Sequence, residues 1–335
     1  MNVMMTPRRN PICMAGKSFI YILLPFTLLS CLGCQERNTW TSKADMPTAR
    51  LGLATAVVNG KIYAIGGYPY ANGEGMTINE VYNPKTNSWQ SKAPMPTGRR
   101  WMSASTVDSK IYVFGGYTNV SGPGLPTVEE YDPETDTWTS RADMPTPRLG
   151  TASCVVDGII YVIGGATTVR EQLRTVEAYN PETDTWTVKA DLPKERMMLS
   201  ACAVNGKVYA IGGRYESISM YTWIEEYDPT TDTWSKKYEM PLEKGGFAAT
   251  VMNDKIYIIG GVNIESGIWN IYPIIEEYDP KMNTFTRRED MPTPRFGPGA
   301  RGVNRKIYVI GGASEDIGAG HPGLTTVEEY IPPRR

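Results

Sequence analysis

The stretch DTWTSRADMPTPRLG, Asp136–Gly150, has near-copies in NTWTSKADMPTARLG from Asn38 and DTWTVKADLPKERMM from Asp184. Looser copies follow to the end of the chain. Gly-Gly pairs begin at Gly66, Gly115, Gly164, Gly212, Gly260 and Gly311, never more than 51 residues apart. A second marker keeps step with them: Trp40, Trp89, Trp138, Trp186, Trp234, and Phe285 where a sixth Trp is due. A period near 50 that holds for six copies is the mark of a repeat architecture, in which each copy is one supersecondary unit.

Each copy reads as four strands. A small-residue run such as TASCVV (Thr151–Val156) leads into a two-residue Asp-Gly or Asn-Gly turn, the signature of a tight hairpin. Alternating β-branched segments of the KIYVIGG kind (Lys306–Gly312) give the second strand. A variable stretch leads to TVEEYDP (Thr127–Pro133), the third. DPETDTW then turns into the fourth, with Pro133 presetting φ and Asp132 placed to accept backbone N–H groups. Amphipathic helices are absent from the pattern.

A period near 50 carrying a diglycine, a Tyr and a Trp resembles the kelch repeat, from about Arg37 to Arg335. The resemblance implies a six-bladed β-propeller with four antiparallel strands per blade. The physics agrees, because a lone four-stranded sheet of this length cannot bury both faces and copies must stack. Small residues in the first strand suit crowding near an axis, and glycines permit close backbone approach. The blades are expected at about 46–92, 95–141, 144–189, 192–237, 240–288 and 291–335. The last copy ends in TTVEEYIPPRR without a fourth strand, while the chain opens with a surplus one, so 37–43 is expected to complete the sixth blade.

Ahead of the repeats, Arg8, Arg9 and Lys17 precede the apolar run FIYILLPFTLL (Phe19–Leu29) and then SCLGC. That pattern reads as an export signal over 1–34, with Met1 or Met14 as the start. Its end resembles the lipobox of bacterial lipoproteins, with Cys34 favoured over Cys31 for lipidation. The expected location is the periplasm or cell surface, the membrane being touched only through such an anchor. Without the leader's cations the chain has 31 basic and 36 acidic residues, which argues against a nucleic-acid partner. Cys154 and Cys202 occupy one position of neighbouring copies and read as small buried residues, not a disulfide framework.

His321 is the sole histidine, which excludes a multi-histidine metal centre, a Ser-His-Asp triad and the chemistry of kelch-like radical copper oxidases. No metal site and no cofactor are expected, and the diglycines are not followed by the Lys-Ser/Thr of a phosphate loop. Antiparallel connectivity puts the variable second-to-third connection and the fourth-to-first connection on one face. YPYANGEGMTIN (Tyr68–Asn79) and RYESISMYTW (Arg214–Trp223) share nothing, so this loop face is where a ligand would be read.

A repeated cation stands on the same side: Arg50, Arg99, Arg148, Arg196, Lys244 and Arg295. Six cations around one opening suit an anionic ligand. The competing reading gives them a task inside each blade, such as pairing with the Glu-Glu of VEEY. Off-repeat residues of hot-spot type complete the candidate rim: Arg100, Trp101, Arg214, Tyr215, Tyr221, Trp223, Trp269 and Tyr272. Arg301 fills a slot held elsewhere by Ala56, Ser105, Cys154, Cys202 and Thr250, and is expected to project into the central channel. These features describe a monomeric interaction scaffold for a protein or glycan. The alternatives are an enzyme similar to bacterial sialic-acid mutarotases, using carboxylates such as Glu74, Glu171, Glu216, Glu265 or Glu315, and a structural envelope component.

Overall fold

Small residues start each repeat because six strands meet at one axis. A computed structural model of the chain describes residues 38–70, 73–119, 122–215, 219–315 and 322–333. The six inner strands are Ala54–Val58, Ser103–Val107, Ala152–Val156, Ser200–Val204, Ala248–Met252 and Gly299–Val303. Each touches the next, and the last touches the first, so they form a closed ring. Each opens an antiparallel four-stranded sheet; blade 2 continues outward through Lys110–Phe114, Val128–Asp132 and Thr137–Arg141. No helix occurs among the described residues. The segment expected to be an export signal and both lipidation candidates, Cys31 and Cys34, lie outside the described residues, as do Glu216 and His321.

The outer place of the sixth sheet is taken by Thr39–Ser42, which pairs antiparallel with Val327–Ile331. Trp40 stands opposite Tyr330 as Trp138 stands opposite Tyr131, with ring centroids 5.0 Å apart in both pairs. The repeated Tyr is sealed between blades in every copy, and burying one such ring contributes roughly 1.5–3 kcal/mol.

The residue two places before the repeated Trp fastens the outer edge. Asp136 adopts a left-handed backbone with φ 56°, a conformation that Asn and Asp tolerate. Its Oδ1 accepts the Tyr131 hydroxyl at 2.5 Å and the Ala93 N–H of the preceding blade at 2.9 Å. Trp138 Nε1 donates to the Ala93 carbonyl at 2.8 Å. Asn87, Asp184 and Asp232 repeat the arrangement, while Asn38 accepts from Tyr330 at 2.6 Å and Trp40 Nε1 donates to Glu289 at 3.2 Å. The sequence reading took Asp136 for part of a turn and missed its work between blades.

The diglycines sit where the backbone demands them. Gly115 has φ 62°, and a Cβ there would lie 2.3 Å from the Arg148 carbonyl oxygen. Gly116 N–H donates to that same oxygen at 2.9 Å. The variable segments are not all irregular: those of blades 3, 4 and 5 form two-stranded hairpins, such as Val262–Glu265 with Ile268–Ile271. Cys154 and Cys202 are buried free thiols, both pushed up by that burial.

Candidate functional site

The six repeated cations are not on an accessible rim. Arg50, Arg99, Arg148, Arg196, Lys244 and Arg295 are each 0% exposed. Each meets the first Glu of the third strand in its own blade: Arg50 with Glu80 at 2.6 Å, Arg99 with Glu129 at 2.6 Å, Arg148 with Glu177 at 2.5 Å and Arg295 with Glu328 at 2.7 Å. Arg196 pairs with Glu225, and Lys244 with Glu276, in the same way. The guanidinium fork also reaches carbonyls, as Arg148 does at Gly164 and Thr175. The expectation that these six bind a ligand is corrected on that ground, since a buried charge is tolerated when paired and hydrogen-bonded. Burial pulls the Arg50 guanidinium down to about 10 against the opposing pull of Glu80, so it remains a cation at neutral pH.

Two residues beyond each cation, the chain closes the axis. The N–H of Trp101 donates to the Gly52 carbonyl, Gly150 to Trp101, Met198 to Gly150, Gly246 to Met198, Gly297 to Gly246 and Gly52 to Gly297, at 2.7–3.1 Å. The result is a closed circle of six backbone hydrogen bonds, one from each blade. All six residues are left-handed, with φ between 52° and 61°. Glycine fills four of the places; Trp101 and Met198 hold the conformation against its usual cost. The Trp101 indole packs across Gly52 and Gly297 and stands 5.3 Å from the Phe296 ring, covering the loop-side end of the channel. The sequence reading missed this circle, although a Gly two places after the cation in four copies was its signal.

The off-repeat candidates divide into three groups. Arg100 is 1% exposed, its guanidinium sandwiched 4.4 Å above the Tyr68 ring and 4.5 Å from that of Tyr117. Together with Trp101 it belongs to the packing over the axis. Trp269 stands edge-on to Phe296 at 5.4 Å on the blade 5 hairpin, and Tyr272, half-buried, follows that hairpin. The third group is in blade 4. Tyr215, Tyr221 and Trp223 stack at 4.1 Å and 4.8 Å, all half-buried, with Lys236 Nζ 4.6 Å from the Trp223 ring. Arg214 lies beside them, half-buried, its Nε without a hydrogen-bond partner among the described residues. Burial lowers the Arg214 guanidinium and Tyr117 raises it.

Arg301, partly buried, lines the space along the axis. Its guanidinium donates to the carbonyls of Ala300 at 3.0 Å, Ala104 at 3.3 Å and Thr55, spanning three blades. It separates a cavity of about 130 Å³ on the loop side from one of about 300 Å³ on the opposite side. Among the described residues no cluster of His, Cys, Asp and Glu could hold a metal ion.

The family model of the KLHDC2/KLHL20/DRC7 Kelch-repeats domain matches residues 52–261, and that of the Kelch motif matches residues 244–292. The chain belongs to the kelch-repeat family. An F-box/kelch-repeat protein of Arabidopsis thaliana is 35% identical over 74 residues, a match covering 22% of this chain and 18% of that relative. The solved structure of YjhT superposes with a TM-score of 0.73 at 17% identity, covering 85% of this chain and 95% of that one. At that identity the likeness establishes the fold. Within the kelch frame, the blade 4 stack is an aromatic cluster on the loop face that no other blade repeats among the described residues, and it is the candidate site.

Proposed function

We propose that this kelch propeller is an exported, lipid-anchored scaffold whose loop face binds a protein or glycan, with Tyr215, Tyr221 and Trp223 as the anchor. One observation carries the reading: three stacked rings are held partly exposed while every repeated cation is withdrawn into the frame. Stacked, pre-ordered rings offer apolar area at small entropic cost, and such residues dominate binding hot spots. The test is capture from an envelope extract, run beside a soluble-glycan array, with the intact protein and with Tyr221→Ala and Trp223→Ala. Each substitution is expected to weaken binding about tenfold or more at an unchanged melting temperature. Undiminished binding by both variants overturns the assignment.

A second reading is a mutarotase acting on an anionic sugar such as N-acetylneuraminate. What favours it is Arg214, a guanidinium on the loop face with Nε free of a hydrogen bond among the described residues. Anomeric-proton exchange spectroscopy decides it, and a rate no faster than buffer removes the enzyme.

A further inference from the structure

Blade 4 departs from its neighbours once more, at its outer edge. Its fourth strand, Thr233–Glu239, runs to seven residues where the others have four or five, and Lys237 is an extra residue with no cross-strand partner on the third. The corresponding pairings of the other five blades keep their register. A bulge of this kind bends the strand and re-aims the side chains beside it. Here it brings Lys236 over the Trp223 indole and within 3.5 Å of Glu239, the residue directly opposite Trp223 in the ladder.

The three groups make one self-filled site. Tyr221 is stacked on one face of the indole, so the ammonium, its Nζ 4.6 Å from the ring centroid, takes the other. An aromatic face draws cations through its quadrupole, and Glu239 adds a full negative charge beside it. The Thr222 hydroxyl donates to Glu239 at 3.2 Å and, with Lys236, holds its carboxyl below the usual carboxylate range, so it is ionised at neutral pH. The side chains of Lys236 and Glu239 are 45% and 62% exposed, and an ion pair so open to water is weakly held. Lys237 does not compete, because its ammonium meets Glu226 at 2.9 Å. Blade 5 carries a similar exposed pair, Arg287 with Asp290, but has Ile274 at the place of Trp223. The ring is what turns the pair into a site.

We propose that the face of Trp223 and the carboxylate of Glu239 receive an arginine side chain of a protein partner, which takes the place that Lys236 holds in the free propeller. A planar guanidinium lies flat on an indole and forks onto a carboxylate, and an ammonium can do neither. The chain uses the same contact internally, with Arg100 held between Tyr68 and Tyr117. Lys236 is then a competitor carried by the protein itself. This site presupposes the blade 4 stack as the loop-face anchor and narrows the partner to a protein segment bearing arginine, leaving a neutral glycan as the other outcome.

The indole N–H resonance of Trp223, assigned by its loss in Trp223→Phe, is followed as the intact protein is titrated with acetyl-Gly-Arg-Gly-amide and with the same peptide carrying neutral citrulline in place of arginine. A saturable shift is expected with arginine and none with citrulline. Lys236→Ala should tighten the arginine peptide about threefold by removing the competitor, and Glu239→Gln should weaken it about fivefold. An equal response to the two peptides, no response to either, or an arginine affinity that Lys236→Ala does not raise overturns the proposal. Capture from the envelope extract separates this failure from that of the anchor. A partner lost by Trp223→Ala but kept in full by Glu239→Gln, as a neutral glycan would be, leaves the stack as anchor and removes the arginine. A partner that neither Tyr221→Ala nor Trp223→Ala loosens removes both.

Discussion

The joints between blades and the crown over the loop face are built from the same residue types and put them to opposite use. At the joints an Arg recurs in five of six copies, fully buried, tied to a Glu and to carbonyls of its own blade while its backbone oxygen binds the diglycine of the blade before. On the crown, Tyr215, Tyr221 and Trp223 occur in one blade and keep part of their rings in solvent. The lesson is that repetition marks what the frame needs, and departure from it marks what a ligand can use. Joint substitutions should therefore unfold the protein without touching specificity, and crown substitutions should do the reverse.

The largest effect is expected where Thr39–Ser42 pairs with Val327–Ile331. A chain begun at Ala44 loses the Trp40–Tyr330 contact, the Asn38 clasp and the pairing along Thr39–Ser42. It should lose roughly 5 kcal/mol or more from the rings and hydrogen bonds together, read as a lower midpoint in urea. An unchanged midpoint would mean that this strand does not latch the ring. Next comes Arg148→Met, which strands Glu177, 2% exposed on its side chain, without a cation. A loss of about 3–5 kcal/mol is expected, because the orphaned carboxylate must be protonated or hydrated. Loop-face binding per folded molecule should stay as it was.

What could be read in the sequence follows from the same contrast. Blade number, strand order and the small inner strands were legible because each copy states them again. The buried cations were not settled, because residue type alone sends Arg to a surface and only the Glu of VEEY hinted otherwise. The circle over the axis was illegible for a different reason: it is a backbone conformation, filled by Gly52 and Gly150 but also by Trp101 and Met198, whose side chains prefer another. Arg301 was legible as a misfit among five small residues, whereas the stacking of Tyr221 on Trp223 depends on a hairpin peculiar to blade 4.

Glycine substitutions sharpen the comparison within the frame. Gly115→Ala forces a Cβ to within 2.3 Å of the Arg148 carbonyl at φ 62°, and should cost about 3 kcal/mol from strain and overpacking together. Gly158→Ala has a similar φ of 77° with nothing within 4 Å, so only the backbone cost of about 1 kcal/mol remains. Equal losses in urea would show that conformation alone, not the approach of the next blade, selects the diglycine.

The smallest effect tests whether blade 5 is a weakened joint. Lys244 makes the ion pair with Glu276, but an ammonium cannot also reach along the carbonyl pair that Arg148 bonds at Gly164 and Thr175. The matching acceptors in blade 5 are Gly260 and Ile274. The backbone there also departs from the pattern, because a Cβ on Gly212 of blade 4 would meet the Phe247 ring instead of a carbonyl. Lys244→Arg should restore the fork and add about 1 kcal/mol, the net worth of one such hydrogen bond. A gain places the deficit in the side chain; a loss places it in the backbone, with Phe247 already occupying the room that a guanidinium requires.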